Sequence, residues 1–300
     1  MKMKFRSLPF HFNRIGRISF ALSIATAFLA ATAFLANGHC DTLRINGSTT
    51  VNPPAAEAAE ILRSEKGMQI EVDTQGGSSG GISMLGDGLV QIGMASKQVS
   101  EADRAKYPKV DFREIQVGED AVALVVSKDV WDAGVRSISQ KQMRAVYEGR
   151  IKNWKDLGGA DKRIAFFNKE PGRGTWEVFA HWLYGDSKKA PPVSFLEVGG
   201  NEEARNKVAS TRGALAQLSS SWADGKRVFS LSITLEDGSI ISPTNKNIAT
   251  HRYPMSRPLF LLTNGDPKAE AKTFVEFLLS ERGQALVRKH GYLSLDQLRE

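Results

Sequence analysis

The sequence contains a single cysteine, Cys40, among its 300 residues. An internal disulfide is therefore impossible, and a metal cluster held by several cysteines is excluded. The five histidines show no HExxH or comparable spacing, so the pattern does not support a zinc site. No P-loop ending in Gly-Lys-Ser/Thr occurs. These absences predict a protein without catalytic residues, metal ligands or cofactors, and therefore not an enzyme.

Acidic residues are missing from the first 40 positions, which carry five basic ones within residues 1–17. An uncharged stretch covers residues 18–36, and Ala36-Asn37-Gly38 supplies small side chains after it. This layout predicts a secretory signal peptide over residues 1–40, with cleavage near Gly38 to Cys40. An uncleaved membrane anchor is the alternative, because the apolar stretch approaches the length that spans a bilayer. Either reading places the rest of the chain in the periplasm or outside the cell.

The excess of positive charge is mostly a property of this leader. The whole chain has 40 basic and 33 acidic residues, a formal charge of +7. Without residues 1–40 it has 35 basic and 33 acidic ones, a formal charge of +2. No electrostatic footprint for nucleic acid remains, and we expect no nucleic-acid partner.

Short β-like runs alternate with helical stretches along the remaining 260 or so residues, a length at which cores tend to divide. The alternation predicts an α/β fold with mainly parallel sheets. The predicted strands are 68–74, 90–95 and 121–127, followed by helices from about Ser79, at 101–107 and at 139–147; two further helices are predicted at 267–279 and 281–289.

Two buried-strand patterns, Asp120–Val126 and Arg257–Thr263, are candidates for connections between lobes. If they pair, residues 41–122 and 260–300 form the first lobe and residues 123–259 the second. The alternative is that both are ordinary core strands of one sheet, because periodicity does not separate the two cases.

Three turns combine glycine with hydroxyl side chains, each at the start of a predicted helix: residues 47–50, 76–81 and 171–175. Backbone N–H groups at a helix start and the helix dipole attract anions, and hydroxyls add donors without charge. Helix capping alone could also explain such residues. Because the pattern recurs three times, we predict that the turns enclose one oxyanion.

The third turn adds two cations to the donors. Arg173 can form a bidentate pair with two anion oxygens, and Lys169 can add a point charge. Surface solvation is the alternative for both side chains.

The chain resembles the phosphate-binding subunits of Pst-type ABC transporters over nearly all of its length after the leader. The segments that carry the resemblance are Gly47-Ser48-Thr49-Thr50, Gly77-Ser78-Ser79-Gly80-Gly81, Ile92-Gly93-Met94-Ala95-Ser96-Lys97, Gly172-Arg173-Gly174-Thr175 and Tyr253-Pro254-Met255-Ser256-Arg257-Pro258-Leu259. The resemblance implies a type II periplasmic-binding-protein fold, in which two α/β lobes joined by a hinge of two crossing strands close on phosphate.

Site residues follow from this resemblance position by position. Thr49 would donate a hydroxyl and Thr50 a backbone N–H, while Ser78 would donate by side chain and Ser79 by its amide. The phosphate-binding residues implied are Ser48, Thr49, Thr50, Ser78, Ser79, Ser96, Lys169, Arg173, Gly174 and Thr175.

The chain departs from the family at two places. Where the family has Arg-x-x-Gly-Ser-Gly-Thr, Lys169 occupies the arginine position and Arg173 the serine position, so Arg173 is expected to replace the missing guanidinium. Some members also place an aspartate after Ala-Ser, where it accepts the proton of hydrogen phosphate. In this chain that position is occupied by Lys97, or by Ser96 in a shifted alignment. Without the aspartate, the resemblance does not explain how the protein would reject a fully deprotonated anion such as sulfate.

The resemblance implies an extracytoplasmic solute-binding protein that captures inorganic phosphate and delivers it to a membrane ABC permease. We expect a monomer. The alternatives are a binding protein for another tetrahedral oxyanion, such as sulfate or a metal oxyanion, and a secreted phosphate-sensing or adhesive protein.

Overall fold

The computed structural model describes residues 42–193 and 196–299. The predicted signal peptide, its cleavage site and Cys40 lie outside the described residues. Strands and helices alternate along most of the chain, which confirms the predicted α/β class. The strands are β1 (Leu43–Gly47), β2 (Ile70–Asp73), β3 (Ile92–Ala95), β4 (Phe112–Ser127), β5 (Ser137–Ser139), β6 (Ala165–Lys169), β7 (Leu196–Val198), β8 (Ala214–Ser219), β9 (Val228–Ser230), β10 (Ser232–Thr234), β11 (Ile240–Ile241) and β12 (Ser256–Asn264).

The helices predicted from about Ser79 and at 101–107, 139–147, 267–279 and 281–289 lie within two residues of their predicted bounds. The helices are α1 (Asn52–Lys66), α2 (Gly77–Gly86), α3 (Glu101–Lys106), α4 (Lys128–Asp132), α5 (Gln140–Tyr147), α6 (Gly174–Tyr184), α7 (Asn201–Ser210), α8 (Asn245–Ala249), α9 (Ala269–Leu279) and α10 (Glu281–Lys289). Among the described residues, no helix is both long and apolar enough to cross a membrane.

One large sheet has the strand order β2-β1-β3-β12-β4-β8-β6-β7, and β9 also pairs with β4. Its two ends are parallel: β1 pairs with β2 and β3, and β6 pairs with β7 and β8. Strands β4 and β12 lie antiparallel to each other between these ends. Parallel sheets need helical crossovers that cover their faces, which explains the regular alternation along the chain.

Strand β4 passes from one half of the sheet to the other. Its first part pairs with β12, from Phe112 to Ala121, and its second part pairs with β8, from Val122 to Val126. The sequence predicted a strand only from residue 121, because the first part carries partly exposed polar side chains rather than an apolar run. The crossing strands confirm the predicted hinge, whereas the lobe boundaries at residues 122 and 260 stay a prediction.

Each half of the sheet has its own apolar core. The first packs β1 and β3 against α1 and α9, and the second packs β4, β6 and β8 against α5 and α6. Buried members of the first core include Leu43, Ile45, Leu62, Ile92 and Phe274, and those of the second include Leu124, Phe166, Phe179, Leu183 and Leu215. Because two separate cores flank the crossing strands, the halves fit the two lobes of a type II binding-protein fold.

Candidate anion-binding site

A small cavity lies where β1, β3 and β6 end and four helices begin. Its cavity volume is about 10 Å³, far below the roughly 300–1,000 Å³ of pockets for drug-sized ligands. The cavity is therefore suited to a guest of a few heavy atoms. It is lined by Ser48, Thr49, Thr50, Gly77, Ser78, Ser96, Lys169, Arg173, Gly174, Thr175, Gly199 and Asn201.

Nine of the ten predicted site residues line this cavity, and Ser79 does not. The Ser79 amide instead donates to the carbonyl of Gly172 at 3.2 Å. The structure thus uses this N–H to hold the second glycine turn against the third, which differs from the expected contact with the anion. Local composition identified the turn but did not indicate which of its N–H groups another turn would occupy.

The first turn depends on the absence of a side chain at Gly47. Its φ is +141°, and a Cβ there would lie 2.1 Å from the carbonyl oxygen of Met94 in β3. The close approach lets the Ser48 amide donate to that same carbonyl at 2.9 Å. Ser48 Oγ then accepts from the Thr50 amide at 3.2 Å and donates to Ser96 Oγ at 3.0 Å. The glycine therefore brings two donor segments of the cavity together.

We expect Gly47→Ala to destabilise the protein by about 2–4 kcal/mol, because overpacking and a disfavoured backbone conformation add. Urea unfolding followed by circular dichroism measures this change. Gly67→Ala is the matched control: Gly67 also has a positive φ, +66°, but a Cβ there meets nothing within 4 Å. An equal loss in both variants would contradict the steric argument.

The four helices that begin at the cavity, α1, α2, α6 and α7, share one feature. None has a hydrogen bond from a capping side chain. Away from the cavity, α3, α5, α8 and α10 are capped by Ser100, Ser139, Thr244 and Ser280, whereas α4 and α9 have no such cap. Uncapped N-termini leave first-turn donors and the positive dipole end for another partner. Helix α1 contributes its dipole rather than donors, because Pro53 and Pro54 have no N–H and the Asn52 amide donates to the Ser48 carbonyl at 3.0 Å. Four helix N-termini around one small cavity favour an anion there.

Lys169 is the most deeply buried cation that lines the cavity, with 1% of its surface exposed. Its Nζ donates to the carbonyl oxygens of Gly199 at 2.9 Å and Gly200 at 2.6 Å. Burial, followed by the positive charges of Arg173 and Arg257, lowers its pKa to about 7. An anion in the cavity would oppose both causes and favour the charged amine.

Arg173 approaches the cavity across Gly77, where a Cβ would lie 2.7 Å from the Arg173 Cδ. Its Nε and Nη2 donate to the Glu170 carboxylate at 3.0 and 2.8 Å. The guanidinium therefore lies at the cavity, which is its predicted position. It is not an unpaired cation, because the Glu170 carboxylate balances part of its charge.

A buried ion pair lies behind the hydroxyl groups of the cavity. The Arg257 guanidinium, on β12, donates to the Asp120 carboxylate on β4 at 2.7 and 3.1 Å. It also donates to three hydroxyl oxygens, Thr175 at 3.0 Å, Thr50 at 3.2 Å and Ser96 at 3.3 Å. Because Arg257 can only donate, these hydroxyls accept from it, and Thr50 and Thr175 keep their protons for a guest. Ser96 Oγ also lies 3.3 Å from Ser78 Oγ.

Lys97, the residue in the aspartate slot, does not line the cavity. Its Nζ pairs with Glu177 Oε1 at 2.6 Å, which links β3 to α6. The lining residues include no carboxylate at all. In the described part of the chain, no group of three or more His, Cys, Asp or Glu residues could hold a metal ion.

Three contributors to the site were not predicted from the sequence: Arg257 as a supporting residue, and Gly199 and Asn201 as lining residues. The sequence did contain a pattern that indicates Gly199 and Asn201. Gly199-Gly200 comes directly before helix α7, as glycine turns come before the other helices of the cavity. The pattern was overlooked because that turn carries an amide side chain instead of hydroxyls.

The fold and the cavity together are those of a solute-binding protein. A family profile described as "PBP superfamily domain" matches residues 35–282, most of the chain. The phosphate-binding protein PstS of Bacillus subtilis (strain 168) is 30% identical over 259 residues, which cover 86% of this chain and 82% of that protein. The chain belongs to the PBP superfamily, in the family of PstS-type phosphate-binding proteins.

Solved structures agree with this assignment. A substrate-binding protein assigned to a phosphate ABC transporter of Clostridium perfringens, crystallised with bound phosphate, superposes with a TM-score of 0.74 at 28% identity, covering 85% of this chain and all of that one. An ABC-type phosphate transport receptor from Vibrio cholerae gives 0.65 at 28% identity, covering 84% and 99%. These relatives are named as binding proteins and receptors, not enzymes.

Proposed function

We propose that this protein captures inorganic phosphate in the cavity between its two halves. The observation that carries the proposal is the meeting of four helix N-termini with Lys169 and Arg173 around one small cavity. Charge-assisted hydrogen bonds from these groups would replace the hydration of a small anion. The names of the relatives support phosphate in particular.

The relatives also support a role in transport. We propose an extracytoplasmic, monomeric protein that delivers phosphate to a membrane ABC permease and catalyses no reaction. The matched proteins are phosphate-binding proteins or components of phosphate ABC transporters. The cavity offers donors and cations to hold an anion, while its lining residues supply no carboxylate and no histidine for acid–base chemistry.

Isothermal titration calorimetry with phosphate, arsenate, sulfate and molybdate tests the proposal. The protein is first dialysed against phosphate-free buffer, so that anions carried through purification are removed. We expect phosphate and arsenate to bind with dissociation constants in the micromolar range or below, and sulfate and molybdate to bind more weakly. No heat with any tetrahedral anion, or tighter binding of sulfate than of phosphate, would overturn it.

A further inference from the structure

Asn201 is a buried amide at the cavity. It is the first residue of α7, has 1% of its surface exposed and lines the cavity. Its Nδ2 donates to Thr50 Oγ1 at 3.0 Å, a contact between the two halves of the protein. Its Oδ1 is buried and has no hydrogen-bond partner among the described residues. Since buried polar atoms are nearly always paired, this oxygen points to a missing donor.

The structure places the amide nitrogen of Asn201, and not its amide oxygen, against the Thr50 hydroxyl. The Thr50 hydroxyl oxygen also accepts from Arg257 Nη2 at 3.2 Å. A hydroxyl has two lone pairs and one proton. With one lone pair used by Arg257 and the other by the Asn201 amide nitrogen, Thr50 keeps its proton for the guest. The amide oxygen of Asn201 is then left as an acceptor at the cavity.

Several other acceptors around the cavity are already engaged. Ser48 Oγ accepts from the Thr50 amide at 3.2 Å, and Ser78 Oγ accepts from the Ser96 amide at 3.1 Å. The carbonyls of Gly199 and Gly200 accept from Lys169. Among the lining residues in the described chain, Asn201 Oδ1 is the buried side-chain oxygen without a donor.

The chemistry of tetrahedral anions gives this oxygen a use. Monohydrogen phosphate carries one P–OH donor, whereas sulfate at neutral pH presents acceptors only. A cavity made of donors alone would leave the phosphate proton unpaired, which is costly in a buried site. An acceptor oxygen facing sulfate would instead meet a second acceptor and disfavour it, so one atom separates the two anions.

We infer that Asn201 is a specificity-determining residue, whose amide oxygen accepts the proton of a monohydrogen oxyanion such as phosphate or arsenate. The inference rests on the proposed function and names the protonation state that the site selects. It also answers how a chain with Lys97 in the aspartate slot discriminates against sulfate: a neutral amide on the opposite half of the protein supplies the acceptor.

The test compares Asn201→Leu with Thr50→Val by calorimetry at pH 7, using phosphate and sulfate. Both variants break the same contact between Asn201 and Thr50, but only Asn201→Leu removes the acceptor. We expect Asn201→Leu to weaken phosphate binding by about tenfold or more and sulfate binding by no more than about threefold. Thr50→Val removes a donor to either anion, so both affinities should fall while their ratio stays within about threefold.

Asn201→Asp keeps an acceptor and adds charge, so the preference for phosphate over sulfate should be kept or increased. Circular dichroism checks that each variant is folded. A wild-type protein that binds no phosphate refutes the proposed function itself. A wild type that binds both anions equally, an Asn201→Leu variant that loses both by one factor, or an Asn201→Asp variant that binds sulfate as tightly as wild type each refutes the role of Asn201 alone.

Discussion

Between pH 6.5 and pH 8.5 the affinity for monohydrogen phosphate is expected to fall roughly 20-fold, after correction for the fraction of that species in solution. The reason is Lys169, whose pKa burial lowers from 10.5 to about 7 in the ligand-free protein. An amine with a pKa near 7 is mostly charged at pH 6.5 and about 3% charged at pH 8.5. Because the anion favours the charged amine, binding above pH 7 must take up a proton.

Four charged side chains shift the pKa of Lys169 in addition to burial. Burial is the largest cause of the lowered pKa. The positive charges of Arg173 and Arg257 lower the pKa further, and the negative charges of Glu203 and Glu170 raise it. Stability without ligand should change in the opposite direction. Between pH 7 and 10.5 the unfolded chain binds the additional proton on this lysine, so its contribution to folding stability rises with pH in that window.

Calorimetry across this pH range in two buffers of different ionisation enthalpy measures both affinity and proton uptake. Lys169→Arg is the matched control, since a guanidinium stays charged and its affinity should vary little with pH. Lys169→Met should weaken phosphate binding about 100-fold at pH 6.5, because a charge-assisted contact is lost. A wild-type profile as flat as that of Lys169→Arg would exclude titration of Lys169 as the cause.

The features that were predicted from the sequence are local ones. Glycine and hydroxyl residues that follow one another in a turn are visible without the fold, and Gly47, Ser78 and Thr175 were identified in this way. The crossing strands were also visible, because β12 and the second part of β4 are continuous apolar runs.

The features that were missed depend on contacts between distant segments. Arg257 and Asp120 lie 137 positions apart and meet only because β12 pairs with β4. Lys97 pairs with Glu177, 80 positions along the chain. The role of Lys97 in the aspartate position of the family could therefore not be predicted from the residues next to it in sequence. Asn201 has meaning only beside Thr50, on the other half of the molecule.

Removing Arg257 is expected to have the largest effect on stability. Its guanidinium and the Asp120 carboxylate are at most 1% exposed, with a closest contact of 2.7 Å. Breaking a buried pair leaves one charge without a partner and typically costs about 3–5 kcal/mol. For a chain of this size that corresponds to a drop in melting temperature of roughly 10 °C, measured by calorimetry for Arg257→Met.

An exposed pair provides the control for this experiment. Arg282 and Glu65 form a comparable bidentate contact on the surface, with side chains 61% and 50% exposed. Arg282→Met should leave the melting temperature nearly unchanged, because solvent already screens that interaction. A similar drop in both arginine variants would show that burial of the Arg257 pair is not the cause.

The double variant Asp120→Leu/Arg257→Met separates stability from binding. Replacing both charges with apolar side chains removes the unpaired ion, so most of the lost stability should return. Phosphate binding should not return with it, since Thr50 and Thr175 would lack the shared donor that directs their protons to the guest. We expect affinity at least about tenfold below wild type. Full recovery of both properties would mean that Arg257 stabilises the hinge strands without orienting the site.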